Sequence, residues 1–341
     1  MKISRILMVG SDKVFAIENY YLKYLKASGI DVIHLSARSI FYDHYQRNFV
    51  NKIFFRLGVS AVYKKINKQF KEAVLRFRPE IIWVFKGMEL FPASLVWAKS
   101  NAILVNYNAD NPFFFMGKGS GNRNLTDSLG LYDLHLTYNH SVKSRLEQSF
   151  NVKVALLPFG FDVDEELFQC CQDQEEIRET CFLGNPERQR AGFIHALAEL
   201  GVGITLYGND WSKFISHPLV IINKPVEGLE SWKVLRRYRV QLNLMRVHNE
   251  DAHNMRTFQV PAIGGIMVAP DTPDHRTFFE DGKEVFLFSD VADCAEKIKM
   301  IMSLSRERAN RIRHAARMRS TTSGYSYRDR TAQVLSEMKQ L

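Results

Sequence analysis

Between Val240 and Phe288 the chain reads VQLNLMRVHNEDAHNMRTFQVPAIGGIMVAPDTPDHRTFFEDGKEVFLF, and the polar residues in it are of the types that hold a phosphate. Val240 to Met245 is a short apolar run ending in Arg246. A strand there delivers its carboxyl end into Arg246, His248, Asn249, Glu250, Asp251, His253, Asn254 and Arg256. In open parallel sheets that end is where ligands sit. A helix beginning near Asn254 turns its first N–H groups and its positive dipole end toward the same place. Arg256 adds a planar fork of donors suited to a phosphate. Taken alone, the cluster also fits a solvated polar loop.

A second chemical candidate is Asp110, in Asn108-Ala109-Asp110-Asn111-Pro112. A carboxylate at a strand end can take the proton of an attacking hydroxyl. A turn or helix-capping aspartate ahead of Pro112 is the equal alternative. Glu18, and Glu89 near Lys86, are weaker candidates for the same role. His248, His253 and Asp251 match no metal-ligand spacing, so no metal is expected. Cys170, Cys171, Cys181 and Cys294 also lack such spacing and read as reduced thiols of a cytosolic protein.

The elements that must position these residues alternate between strand and helix. Lys2–Val9, Asp31–Leu35, Glu80–Phe85, Ala102–Tyr107, Leu134–Tyr138 and Val152–Leu157 read as buried strands, with helical patterns between them. Residues 113–130, rich in Phe, Gly and Asn, read as a mobile loop. The acidic run 164–179 reads as a linker, and a second series of strands starts at Thr180–Leu183. It continues through Ile204–Tyr207 and Leu219–Asn223 to the stretch described first. Gly264-Gly265 stops the helix there, and Ile266–Ala269 returns as a buried strand. The opening is βαβ without a GxGxxG fingerprint, so a dinucleotide site is not supported.

Several of these stretches together resemble the CgeB-like glycosyltransferases of GT-B fold. They are Gly184-Asn185-Pro186-Glu187-Arg188, Tyr207-Gly208-Asn209-Asp210-Trp211, His253-Asn254-Met255-Arg256-Thr257-Phe258-Gln259, and Phe279-Glu280-Asp281-Gly282-Lys283-Glu284-Val285-Phe286. The likeness is strongest over 181–288 and thin over 1–79. It implies an α/β GT-B fold, two Rossmann-like parallel-sheet domains facing across a cleft. Residues 1–160 would bind the acceptor, 161–179 link, 180–320 bind the nucleotide-sugar donor, and 321–341 return as a helix to brace the first domain. On this resemblance Gly184, Asn185, Arg188, Tyr207, Gly208, Arg246, His253, Asn254, Arg256, Thr257 and Gln259 line the donor site, with Arg190 an alternative to Arg188 and Trp211 a weaker contact. Gln259 stands where the family usually has the glutamate that holds the ribose, and an amide can still bond hydroxyls. Both acids of the paired-glutamate motif of related retaining enzymes are missing, since the first position falls on Ala252. Asp162-Val163-Asp164 has the form of a GT-A metal motif, but it follows Pro158-Phe159-Gly160, which resembles the segment by which GT-B chains leave their first domain. No metal or cofactor beyond the nucleotide sugar is implied.

The 341 residues carry a formal charge of +9, which raises the question of a polyanionic partner. Nine Lys/Arg stand against Glu72 alone between Arg47 and Arg78, interleaved with aromatics, and six arginines fall between Arg306 and Arg319. No RRM, KH or helix-turn-helix pattern accompanies them, so nucleic acid is the rival partner and not the first. The basic aromatic segment suits a peripheral contact with anionic membrane that presents a glycan or lipid-linked acceptor. The plainer reading makes its aromatics core. No window approaches a spanning helix and MKISRILMVG is too short for a signal segment, so the expectation is a cytoplasmic enzyme, peripheral at the membrane's inner face. It would move a sugar from a nucleotide-diphosphate sugar to a cell-envelope or surface glycan; a GT-B nucleotide-sugar epimerase is the alternative within the fold.

Overall fold

The computed structural model describes residues 2–14, 16–56, 61–114, 121–246 and 252–341. It divides into two compact units, Met1–Pro158 with Tyr327–Leu341, and Phe159–Ser326.

In the first unit the strands β1 (Arg5–Val9), β2 (Asp31–Leu35), β3 (Ile81–Phe85), β4 (Ile103–Tyr107), β5 (Leu134–Thr137) and β6 (Lys153–Leu156) form one parallel sheet in the order β2-β1-β3-β4-β5-β6. Its helices are α1 (Ile17–Ala27), α2 (Ala37–Arg47), α3 (Phe49–Arg56), α4 (Val62–Phe77), α5 (Pro92–Lys99), α6 (Arg123–Ser128) and α7 (His140–Ser149). The core strands read as unbroken apolar runs because helices cover both faces of a parallel sheet. On α4 the apolar residues Val62, Ile66, Phe70 and Val74 recur every fourth position and pack against Leu7, Val9, Ile82 and Val84. Arg78 takes a left-handed backbone (φ 48) and Pro79 follows, which ends the helix. The aromatics of 62–77 are therefore largely core, while Lys64, Lys65 and Lys68 are exposed. Residues 123–128 are helix and not loop, capped by the Asn122 side chain on Leu125 N–H at 3.1 Å; residues 115–120 of the expected loop lie outside those described.

In the second unit β7 (Ile177–Leu183), β8 (Ile204–Tyr207), β9 (Val220–Asn223), β10 (Tyr238–Leu242), β11 (Met267–Pro270) and β12 (Phe286–Phe288) form a parallel sheet in the order β12-β11-β10-β7-β8-β9. Counted from its own first strand, this is the doubly wound order 3-2-1-4-5-6, with the switch point at β7 and β10. The helices are α8 (Glu165–Gln172), α9 (Arg188–Glu199), α10 (Gly228–Arg237), α11 (Met255–Ala262), α12 (Pro273–Phe278), α13 (Val291–Ser303) and α14 (Arg306–Thr322). The stretch 161–179 is not a linker. It supplies α8 and the first three residues of strand β7, with Cys171 buried and Glu176 bridging Arg239 and Arg313. Asp164, half of the Asp-x-Asp motif, caps α8 by accepting from Leu167 N–H at 2.9 Å. The last helix, α15 (Tyr327–Lys339), belongs to the first unit, where Tyr327 stacks on Tyr20 of α1 with ring centroids 4.6 Å apart.

Candidate active site

The carboxyl ends of β7 and β10 bring the donor-site candidates of the second unit together. Beyond β7, the Asn185 side chain accepts from Asn209 N–H at 3.1 Å, which ties this turn to the one after β8. Gly208 lies so close to that turn that a Cβ on it would stand 2.2 Å from Gly184 O and 2.8 Å from Trp211 Nε1. Only glycine fits there. Trp211 is fully buried and donates Nε1–H to Gly184 O at 2.8 Å, so it is a structural strut and not a stacking platform.

Arg190, one half-turn into α9, reaches across the switch point. Its Nη2 donates to Leu244 O at 2.9 Å, Nε to Met245 O at 3.2 Å and Nη1 to Asn185 O at 3.3 Å. Burial lowers its pKa, so the guanidinium is committed to carbonyls that need it. Arg188 is exposed, and its side chain has no partner among the described residues. Of the two arginines, Arg188 is the one left to meet a ligand. Arg246 lies 3.2 Å from Glu187. Beside them Arg190, Phe193, Leu244, Met245, Pro270 and Phe288 help to line a pocket of about 220 Å³.

The N-terminus of α11 is arranged differently from the expectation. The Asn254 side chain accepts from Arg256 N–H at 2.8 Å and Thr257 N–H at 3.3 Å, and the Thr257 hydroxyl accepts from Asn254 N–H at 3.3 Å. This is a reciprocal capping box, and it consumes two of the N–H groups that a phosphate would have used. Thr257 is fully buried, with its hydroxyl also 2.9 Å from His275 Nε2. Burial brings His275 down to about 4, so its ring is neutral. His253 is buried too. Its Nε2 accepts from Phe159 N–H at 3.2 Å while its Nδ1 lies 2.6 Å from Asp274 Oδ2, which assigns the ring proton to Nδ1. His253, Asn254 and Thr257 are thus framework that fixes where α11 starts. Arg256 stands in the first turn of α11, and its Nη1 donates to Gln259 Oε1 at 2.5 Å. Gln259 therefore steadies Arg256, a role different from the expected ribose contact. Tyr207 is buried, with its hydroxyl committed to the protein: it lies 3.0 Å from Tyr238 Oη and accepts from Arg237 at 3.1 Å.

In the first unit Asp110 follows β4 and lies 2.6 Å from Lys86 Nζ, which follows β3. Behind them Glu89 is buried against Arg38 at 3.4 Å, and Glu18 is buried where it accepts from Ser11 N–H at 2.8 Å. Burial raises both glutamate pKa values. Among the described residues no group of three or more His, Cys, Asp or Glu side chains could hold a metal ion; His248 and Asp251 lie outside them.

Residues 188–336 match a family profile described as glycosyl transferase-like. They form a glycosyltransferase-like domain. Among solved structures, a glycosyltransferase from Rickettsia africae is similar over 100% of this chain and 99% of its own at 14% identity, with a TM-score of 0.66. An E. coli trehalose-6-phosphate structure bound with UDP-2-fluoro glucose is similar over 99% of each chain at 12% identity, TM-score 0.65. Sucrose-phosphate synthase from Thermosynechococcus elongatus is similar over 99% and 98% at 11% identity, TM-score 0.65. The fold is GT-B. No curated protein sequence matches the chain.

The GT-B assignment gives the two sheets their meaning. Of the candidates, Gly184, Asn185, Arg188 with its alternative Arg190, Gly208, Arg246, Asn254 and Arg256 lie at or beside the switch point of the second sheet, and Glu187 joins them. The signal for Arg190 was the basic residue in the first turn of a helix that starts at the switch point, one position before the buried stripe of Ala191, Ile194, Leu197 and Ala198.

Proposed function

We propose that this protein is a glycosyltransferase that moves a sugar from a nucleotide-diphosphate sugar to a hydroxyl acceptor without a metal ion. The observation that carries the reading is that Arg188, whose side chain has no partner among the described residues, and Arg256 stand in the first turns of the helices that follow β7 and β10, the two strands at the switch point of a 3-2-1-4-5-6 sheet. When the bond from the anomeric carbon to the diphosphate breaks, its electron pair stays on the phosphate oxygen. Preset cations lower the cost of that charge. The pocket beside Arg190 is apolar enough to take the flat face of a nucleobase, and the E. coli structure with UDP-2-fluoro glucose supports a sugar nucleotide as donor in this fold.

The first unit holds the acceptor in this reading, with Asp110 as its base if configuration inverts. The acceptor is a glycan or lipid-linked sugar of the cell envelope or surface, consistent with the CgeB-like resemblance. A contact with anionic lipid is supported by the exposure of Phe49, Val50 and Ile53 on α3 and of Lys64, Lys65 and Lys68 on α4, the next helix in the chain. No helix is long and apolar enough to cross a membrane among the described residues. The enzyme then works at the cytoplasmic face.

The deciding experiment is thermal unfolding with UDP, GDP, CMP and dTDP against a single-stranded oligonucleotide, followed by nucleotide release from the matching sugar nucleotides. One nucleoside diphosphate at 100 times its Kd stabilises the fold by about 2.7 kcal/mol. Stabilisation by the oligonucleotide alone refutes the reading in favour of nucleic acid, and a sugar product with one inverted ring carbon and no transfer refutes it in favour of an epimerase.

A further inference from the structure

The first sheet changes direction between β1 and β3, so its ligand-binding edge is the carboxyl end of those strands and of β4. Lys86 is the residue that leaves β3 there, and its backbone is left-handed, with φ 64. A side chain with a Cβ rarely adopts that region, and such residues gather at functional sites. The conformation is enforced from every side. Lys86 N–H donates to Tyr107 O at 2.8 Å, and Asn106 Nδ2 donates to Lys86 O at 3.3 Å. The next residue is Gly87 with φ 97, where a Cβ would stand 2.8 Å from Tyr132 Oη. The turn therefore has one shape, and that shape throws the ammonium onto Asp110 Oδ2 at 2.6 Å. Asp110 is itself oriented, because its N–H donates to Asn108 Oδ1 at 3.0 Å. The Lys86 side chain is 14% exposed and that of Asp110 28%, so the cation lies inside and the carboxylate looks out.

We propose that Lys86 is a positioning residue for acceptor chemistry, holding Asp110 ionised and aimed; this rests on the glycosyltransferase reading above. The acceptor hydroxyl oxygen forms the new bond to the anomeric carbon, and the bond to the diphosphate oxygen breaks with its electron pair on that oxygen. The hydroxyl proton passes to Asp110, which later yields it to solvent, while Lys86 keeps its own protons throughout. Lys86 also faces Glu89, whose raised pKa it works against, with Arg38 nearest and Glu18 behind. The ammonium therefore sits between the Asp110 carboxylate and Glu89, whose burial pushes its pKa up.

A structural ion pair and a positioning pair differ in what Lys86→Gly does. Glycine removes the cation and also relieves the left-handed strain, so the variant folds at least as well as the native chain. Its Asp110 carboxyl, followed by 13C NMR and assigned with Asp110→Asn, is expected to titrate at least about 1 pH unit higher, since an adjacent cation lowers an aspartate by roughly 1–3 units. Lys86→Arg restores the native midpoint. The acid limb of nucleotide release from UDP-, GDP- and dTDP-sugars shifts by the same amount. An Asp110 midpoint unmoved in folded Lys86→Gly overturns the inference, and so does a Lys86→Gly protein that loses stability while its pH profile stays put. If native protein releases nucleotide from none of these sugars, the glycosyltransferase reading is what fails, and the titration still decides the pair.

Discussion

Arg190 separates two ways of building the donor site, and its replacement by methionine tells them apart. In the structure its guanidinium holds Leu244 O, Met245 O and Asn185 O, so it staples the carboxyl end of β10 to the turn after β7. Hydrogen bonds to charged groups contribute about 1.5–3 kcal/mol each. Two well-formed bonds and one longer one therefore suggest about 3–6 kcal/mol, from which the burial that lowers the Arg190 pKa must be taken back. Methionine fills the same space but leaves the carbonyls unanswered, and we expect Arg190→Met to lose about 2–4 kcal/mol in urea unfolding. Arg190→Lys recovers at most one bond and lies between the two. Nucleotide affinity, read by calorimetry, falls only as far as the loosened turns allow. The reasoning is refuted if Arg190→Met unfolds within about 0.5 kcal/mol of the native protein while nucleoside diphosphate affinity drops a hundredfold, because Arg190 is then a phosphate ligand and not a staple.

Arg256→Ala is expected to weaken nucleoside diphosphate binding by about 1.5–3 kcal/mol in a folded protein, and Gln259→Glu to weaken it as well by setting a carboxylate on the same guanidinium; calorimetry with the preferred diphosphate checks both. Gly208→Ala pushes a methyl into Gly184 O and should cost about 1–3 kcal/mol of stability with a parallel loss of nucleotide affinity, read by denaturant unfolding and calorimetry. Burial pushes the Glu176 carboxyl up, but hydrogen bonds and charge from Arg239 and Arg313 outweigh it and bring it from 4.5 to about 2. A lowered native pKa means stability that is present above about pH 4.5 and lost as pH falls toward 2, worth about 3 kcal/mol in all, so the cost of Glu176→Gln measured in urea should be large at pH 7 and shrink by pH 3.

The strands were legible because a parallel sheet covered on both faces keeps its central runs mostly apolar, as in β1 and β3, and β2 and β8 begin at the residues the pattern names. The end of β10 was less so. Asn243 to Arg246 looks like more strand, but Asn243 leaves the pattern to receive Asn254 Nδ2 at 2.7 Å, a partner eleven residues on. The stretch 161–179 was misread because its acids look solvated; what buries Glu176 is a pair of arginines 63 and 137 residues away in sequence, which no local window contains. At α11 the residue types were read correctly and the bonding was not. Asn254 and Thr257 have the three-residue spacing of a capping box, and that spacing was the available sign that the helix answers its own N–H groups.

The charge of +9 has a structural explanation for much of the chain, and the cations it leaves over are where the proposed lipid contact is tested. Cations repeatedly answer the carbonyls at helix C-termini, where the dipole is negative. Arg5 donates to Phe77 O at the end of α4, Arg317 to Ala262 O at the end of α11, Arg319 to Phe278 O at the end of α12, and Arg178 and Arg239 to carbonyls at the end of α13. Arg313 is buried against Glu176. The arginine-rich α14 is therefore not a solvated stripe offered to a polyanion, because three of its six arginines are built into the second unit. Lys64, Lys65 and Lys68 of α4 cap no helix in this way. The side chains of the first two have no partner among the described residues, and that of Lys68 only faces Glu72 at 3.9 Å. The preceding helix in the chain, α3, exposes Phe49, Val50 and Ile53. Each cation near an anionic surface contributes about 1 kcal/mol, and salt screens it. Changing Lys64, Lys65, Lys68 and Lys71 together to Gln should leave unfolding in urea nearly unchanged and cut sedimentation with phosphatidylserine vesicles by at least about a hundredfold in affinity. Phe49→Ser with Ile53→Ser should weaken binding to the same vesicles in a way that salt does not mimic, since it removes the apolar part. If native and quadruple-Gln proteins sediment equally with anionic vesicles, these lysines do not face lipid, and the acceptor is soluble.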